Sequence, residues 1–240
     1  MSTIPEHMLK KRQDISQKYL LGQGIEIGAL HYPLWISDQA TVRYVDRLPV
    51  EELRQQYPEL QAFALVNVDI VDNGEYLRKV ADDSLDFLIG NHLLEHCENP
   101  LGTIRNHLCK VKDNGILYYA IPDKTQSFDR GRPLTDFAHL VKDDALGPGW
   151  SRRSHFLEWV ELVNRQTDPE KIKHDVQILE DMNYSIHFHV WDQSAFTDFL
   201  TQAQSYLGNT FAIDCIESND TEVITILRKR PHRLKNNMSR

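Results

Sequence analysis

The sequence predicts an α/β fold: a mostly parallel sheet that closes with an antiparallel C-terminal hairpin and is interrupted by an insertion after the fifth strand. Three observations predict it. Short apolar runs alternate with helical segments through the first half of the 240-residue chain, the pattern of parallel strands joined by crossover helices. Acidic residues recur where those runs end. The last two strands are joined by Ser218-Asn219-Asp220, a hairpin signal, rather than by a crossover helix.

Each element follows from local pattern. Residues 5–20 carry Met8, Leu9, Ile15, Tyr19 and Leu20 among charges, which predicts an amphipathic helix within the N-terminal stretch 1–21. Gly24-Ile25-Glu26-Ile27-Gly28 is a short apolar run closed by glycine and reads as a buried first strand. Residues 42–46 form the second strand. Residues 50–61 predict a helix that Pro58 shortens. Residues 64–68 predict a third strand ending at Asp69, and residues 75–81 a short helix. The fourth strand spans 84–89. A helix over 92–112, broken near Pro100, and a fifth strand over 115–121, stopped by Pro122, follow. Residues 123–190 are polar, aromatic and rich in Arg and His, without a clear strand; they read as a substrate-side insertion. Residues 192–207 predict a helix with Asp192 or Ser194 as N-cap and Gly208 as stop. Residues 211–216 and 222–227 are the hairpin strands. Residues 228–240 are a basic tail with six Lys or Arg and no acid, expected to be solvated. The chain, 1–240, is expected to form a single domain.

Bulk composition excludes several classes. Hydrophobic residues at 41% and charged residues at 26% are ordinary for a soluble globular protein. Against 27 basic residues stand 35 acidic ones, a net charge of -8, which disfavours nonspecific phosphate binding and makes a nucleic-acid partner unexpected. No run is long enough to span a bilayer, and the first residues lack the unbroken apolar stretch of a secretory signal. Cys97, Cys109 and Cys215 are far apart and odd in number, which indicates neither a disulfide framework nor a thiolate zinc site. A reducing cytoplasm is the expected location.

Open α/β sheets bind ligands at the carboxyl ends of their strands. Glu26 lies in the first strand just before Gly28, Asp46 ends the second, and Asp69 is expected to end the third. An acid after strand two can accept hydrogen bonds from both ribose hydroxyls. A glycine after strand one lets backbone approach a ligand closely.

With these pieces in place the chain resembles the class I S-adenosylmethionine (SAM)-dependent methyltransferases. The matching motifs are Gly24-Ile-Glu-Ile-Gly28, Tyr44-Val-Asp-Arg47, Val68-Asp-Ile70, Leu85-Asp-Phe-Leu-Ile-Gly-Asn-His92 and Gly115-Ile-Leu-Tyr-Tyr-Ala-Ile-Pro122. The likeness covers residues 22–122 and the terminal hairpin. Residues 91–100, Asn-His-Leu-Leu-Glu-His-Cys-Glu-Asn-Pro, resemble a bacterial branch of that family often found with glycosyltransferases, and this extends into residues 150–155 and 187–191. The resemblance implies a Rossmann-like methyltransferase sheet and SAM as cofactor. It implies that Glu26 belongs to the cofactor site, that Gly28 and the backbone at Ala29 face the methionine end, that Asp46 holds the ribose, that Asp69 and Ile70 border the adenine, and that Asn91 and His92 line the methyl-transfer side. One motif departs: the family's G-x-G-x-G loop is here Gly28-Ala29-Leu30-His31-Tyr32-Pro33. Residues 29–41 leave scant room for a crossover helix, and Pro33 opposes one. Either the loop is remodelled around SAM, or the site is weakened and the chain is a catalytically inactive, methyltransferase-like binding module.

Histidines supply the candidate chemistry. His92-Leu-Leu-Glu95-His96 spells H-x-x-E-H, which on a helix would place two zinc ligands on one face, as in a zinc peptidase. A third carboxylate ligand has no obvious candidate, and the motif directly follows an expected sheet strand. In Ser185-Ile-His-Phe-His-Val-Trp191, alternation puts His187 and His189 on one face of an extended segment, where two imidazoles can act as base or hold a metal. Arg152, Arg153 and His155 follow a turn-prone Gly147-Pro-Gly-Trp150 and could grip an anionic substrate. The expected function is SAM-dependent methyl transfer to a hydroxyl of a small-molecule or glycan acceptor. His155, His187 or His189 is the expected general base, with His92 a further candidate. No metal ligand set and no oligomeric state is assigned.

Overall fold

The computed structural model describes residues 4–231. Its centre is a seven-stranded sheet. The strands are β1 (Gly22–Ile27), β2 (Ala40–Asp46), β3 (Ile70–Val71), β4 (Leu85–Asn91), β5 (Val111–Pro122), β6 (Phe211–Asn219) and β7 (Glu222–Lys229). Their spatial order is β3-β2-β1-β4-β5-β7-β6. The first five are parallel; β7 runs antiparallel to β5 and pairs with β6 as a hairpin. The helices are α1 (Glu6–Tyr19), α2 (Val50–Gln56), α3 (Pro100–Lys110), α4 (Phe137–Leu146), α5 (Arg152–Glu158), α6 (Pro169–Asp181) and α7 (Gln193–Tyr206). Among the described residues no helix is long and apolar enough to cross a membrane. Residues 232–240, most of the basic tail, lie outside the described residues; Arg228 and Lys229 belong to β7.

Alternation within the central strands builds two cores. Leu88, Leu117 and Tyr119 face Leu101, Ile104 and Leu108 of α3 and Phe196, Phe199 and Leu200 of α7. Phe87, Ile89, Tyr118 and Ala120 face the other way, toward Ile15 of α1 and Leu34. Both faces of β4 and β5 are covered, which is why these strands read as continuous apolar runs. The mostly parallel sheet, its closing hairpin and the insertion after β5 are as the sequence predicts.

Three local expectations are corrected. The third strand is Ile70–Val71, not residues 64–68. Asp69 precedes it: its carboxylate accepts the Tyr44 N–H (2.8 Å), taking the β2 donor that a longer strand would need. Residues 64–68 instead cross over the loop after β1, where the Val66 N–H donates to the Leu30 carbonyl (2.8 Å). Residues 75–81 form turns rather than a helix, because Asn73 Oδ1 accepts from the Glu75 N–H (2.8 Å) and Asp72 Oδ2 from the Lys79 N–H (2.6 Å). The stretch after β4 is a single turn at Leu94–His96. α3 starts at Pro100, capped by Asn99, whose side chain accepts from the Gly102 N–H (2.8 Å).

The insertion is helical. α5 runs into a π-helical turn, Trp159–Val163. With α6 and residues 186–188 it encloses a small core of its own: Phe156, Val160, Val176, Ile186 and Phe188. A strap of chain, residues 185–191, returns from this core to the sheet. Its Phe188 N–H donates to the Glu95 carbonyl (2.7 Å).

Candidate active site

A cavity of about 490 Å³ opens at the carboxyl ends of β1 and β4, within the size range of small-molecule sites. Glu26, Gly28, Ala29, Asn91 and His92 line it from the sheet; Arg12 of α1 and Glu222 of β7 close its far side. Gly28 has φ +67°, and a Cβ there would meet nothing within 4 Å, so its backbone is open to a ligand.

Glu26 shapes the loop that replaces a crossover helix. Each of its carboxylate oxygens lies 3.0 Å from the Leu34 N–H, and Oε1 also accepts from Asn91 Nδ2 (3.1 Å). The chain after Gly28 is therefore pulled back over β1. Burial pushes the Glu26 carboxyl up to about 7, against the opposing hydrogen bonds from Leu34 and Asn91.

His92 follows β4 in a left-handed conformation (φ +48°) with its side chain 40% exposed toward the cavity. Nε2 is 2.9 Å from Glu222 Oε2, and Nδ1 is 3.5 Å from Glu95 Oε1. Burial lowers the proton affinity of the ring, but the Glu222 hydrogen bond and the charges of Glu95 and Glu222 prevail and raise its pKa above 6.5. Glu222 is itself gripped by the Arg12 guanidinium (Nε to Oε1, 2.8 Å) and by Asn219 Nδ2 (2.6 Å). Burial opposes its charge; these partners and His92 outweigh burial and hold it down at about 2. Arg12 and Glu222 escape sequence reasoning because one sits on a charged amphipathic helix and the other opens an apolar strand. The signal was a lone acid at the head of a buried run, which demands a buried cation.

Asp46 stands beside the cavity, not in it. Its Oδ1 accepts from the Arg47 N–H (2.7 Å), and burial raises its pKa despite the backbone donors of Arg47 and Leu48. The crevice between Asp46 and Ala29 leaves no room for even a water molecule, with Leu65, Val66 and Val68 packed against it. A ribose at Asp46 requires those residues to move aside. Asp69 is committed to the Tyr44 backbone, and Ile70 packs against the sheet core. The acid that follows β3 is Asp72, spent on the Asn73 and Lys79 N–H groups.

Of the four histidines singled out as bases, only His92 lines the cavity among the described residues. His155, His187 and His189 lie outside its lining, because the strap is pinned to the turn after β4. His187 Nδ1 pairs with Asp129 (2.6 Å), which also binds Arg132 (2.7 Å). His189 joins His155, His139 and Asp143 in a separate buried cluster. Burial lowers His155 to about 4 and His189 to about 3, with neighbouring imidazoles adding to the effect. The zinc-peptidase geometry is absent. The turn Leu94–His96 is not an α-helix, so His92 and His96 share no helical face: His92 reaches Glu222, whereas His96 Nδ1 donates to the Ile186 carbonyl (2.9 Å).

No protein-family model matches the chain, and no curated protein sequence matches it. Solved structures share its fold. A chain of the complex between the Haloferax volcanii Trm112 methyltransferase activator and the putative methyltransferase is 11% identical, with a TM-score of 0.52 over 95% of this chain and 90% of that one. A putative Zn-dependent alcohol dehydrogenase from Rhodobacter sphaeroides is 13% identical, with a TM-score of 0.53 over 95% of this chain and all 100% of that one. A SAM-dependent methyltransferase from Aquifex aeolicus is 11% identical, with a TM-score of 0.47 over 94% and 89%. At these identities the likeness is one of fold alone: an α/β, Rossmann-like sheet, mostly parallel and closed by an antiparallel pair.

Proposed function

We propose that this chain is a SAM-dependent methyltransferase of class I, which binds SAM in the cavity at the ends of β1 and β4 and methylates a hydroxyl of a small-molecule or glycan acceptor. The observation that carries the reading is the convergence of Glu26, Gly28, Ala29, Asn91 and His92 on one cavity at the carboxyl ends of the strands. The cavity also suits a cationic ligand: Glu222 already neutralises Arg12, and Glu26 can gain negative charge when a cation approaches.

SAM supplies a sulfonium-activated methyl group. Gly28 and Ala29 offer close backbone approach to its methionine end, and Asn91, fixed by Glu26, borders the methyl. His92 is the base of this reading. Bound SAM would supply the methyl group for an acceptor oxygen held in line with it, and His92, with Nε2 held by Glu222, would take the acceptor's proton at Nδ1. Asp46 holds the ribose once residues 65–68 lift away. Residues 123–190 form the acceptor side of a single domain. The likeness of residues 91–100 to a branch found with glycosyltransferases supports a glycan among the acceptors, and the cysteine usage supports a cytoplasmic setting.

The closed crevice at Asp46 favours a second reading, a methyltransferase-like binding module that no longer takes SAM. Titration calorimetry with SAM and with its demethylated product separates the two. Micromolar binding of either supports the enzyme; no heat with millimolar ligand supports the module.

A further inference from the structure

We propose that His139, Asp143, His155 and His189 form a tetrahedral binding site for a divalent transition-metal ion, with zinc the best fit, that staples the insertion together. The proposal does not depend on the methyltransferase reading. One ligand atom from each of the four residues lies within 4.8 Å of all the others. His139 Nε2 is 3.0 Å from His155 Nε2 and 3.1 Å from Asp143 Oδ2, and His189 Nε2 is 3.8 Å from the same oxygen. Four ligands at zinc distances in a tetrahedron stand about 3.3 Å apart. These three separations bracket that value and the others lie within 4.8 Å, so one ion at the centre would draw the four ligands together, His189 Nε2 exchanging its 3.4 Å contact with the Glu98 carbonyl for the ion.

Three separate elements build the cluster, which is why no spacing in the sequence announces it. His139 and Asp143 sit at i and i+4 on one face of α4. His155 comes from α5, and His189 from the strap. Asp143 and His189 have fully buried side chains. Asp143 Oδ2, turned toward the imidazoles, receives no well-aligned hydrogen bond, although His139 Nε2 lies 3.1 Å from it. Buried polar atoms without partners are rare in native proteins and ask for an explanation such as an ion. The other oxygen, Oδ1, accepts from Ser151 Oγ (2.8 Å), an outer contact of the kind that orients a ligating carboxylate. Three imidazoles and one carboxylate without a thiolate suit zinc, and a complete protein ligand set marks a structural rather than a catalytic site. The ion would also have a reach beyond the insertion. The strap carrying His189 donates two N–H groups to the Glu95 carbonyl, in the turn that follows His92.

The test uses the full chain, stripped with a chelator, reloaded with zinc and passed through gel filtration. We expect about one zinc per chain by elemental analysis. In competition with a chromophoric chelator, Asp143→Asn and His155→Gln should each weaken zinc binding by more than about 100-fold, beyond the 10- to 100-fold typical of losing an outer-shell partner. His174→Gln, in α6, and His187→Gln, which removes a member of the neighbouring Glu95–His96–His187 group, should leave affinity within about threefold. X-ray absorption on the zinc-loaded wild type reads the site without any variant, and should give four nitrogen or oxygen ligands at about 2.0–2.1 Å with imidazole scattering. Failure of the wild type to retain zinc, retention unchanged in Asp143→Asn and His155→Gln, loss specific to His187→Gln, or a six-coordinate oxygen shell would each overturn the proposal.

Discussion

The cavity and the insertion each set histidine against carboxylate, yet they move histidine in opposite directions. At the cavity, one imidazole, His92, faces two carboxylates, Glu95 and Glu222, and its pKa rises. In the insertion, three imidazoles share one carboxylate, Asp143, and two of them, His155 and His189, fall to about 4 and about 3. Burial acts the same way in both places, against the imidazolium. The ratio of carboxylates to imidazoles decides the sign. The difference teaches where each kind of chemistry belongs. A ring held basic beside an open cavity suits proton transfer, whereas rings whose proton affinity burial lowers, as at His155 and His189, suit coordination.

The contrast can be broken most severely at His92. His92→Gln should lower turnover by about 100- to 10,000-fold, the range for losing a general base. The wild-type pH–rate profile should rise through a limb above 6.5, the ordinary histidine value, because the base must be deprotonated and its pKa is raised. His187→Gln should keep that limb; if it abolishes it, the base has been misassigned. Next in size is the buried pair behind His92. Glu222→Ala leaves the Arg12 guanidinium buried without its partner and should cost about 3–5 kcal/mol of stability, read by urea unfolding.

A third test concerns Glu26. Its folded-state pKa, about 7, lies above the 4.5 of the free side chain. Below pH 4.5 both folded and unfolded chains carry the proton. Between 4.5 and 7 the folded chain holds it more tightly, so stability should decline as pH rises through that window, by roughly 3 kcal/mol. Glu26→Gln should flatten this slope, and SAM binding near pH 6 should release protons as its cationic groups approach, seen as buffer-dependent heats. The smallest effect is at Asp46. Asp46→Ala should weaken SAM binding by about 1.5–3 kcal/mol through lost charge-assisted hydrogen bonds. Unchanged affinity would mean that residues 65–68 never leave the crevice.

Much of the sheet was legible because its signals are local. An apolar run such as Gly115-Ile-Leu-Tyr-Tyr-Ala-Ile defines β5 whatever surrounds it, and Asp192 caps α7 with its own side chain, which accepts from the Ala195 N–H (2.8 Å). Misreadings fell where side chains compete with backbone. Asp69 displaced a strand by occupying the Tyr44 N–H, and Asp72 and Asn73 dissolved a helix by taking its donors. Glu26, Gly28, Asn91 and His92, all named from sequence, meet in one cavity because they sit at or just beyond the ends of β1 and β4, which are neighbours in the sheet. Arg12 and Glu222 were not, because their partnership spans almost the whole chain.

By itself the sequence determined the mostly parallel sheet, its closing hairpin, the strand-free insertion and the acids near the strand ends, since periodicity and turn chemistry act over a few residues. Tertiary structure alone decided that His187 and His189 part company, that the Asp46 crevice is shut, that His92 rests between two carboxylates, and that α4, α5 and the strap bring His139, Asp143, His155 and His189 together. Those outcomes depend on contacts between segments far apart in the chain and on the low dielectric their packing creates, neither of which any local pattern encodes.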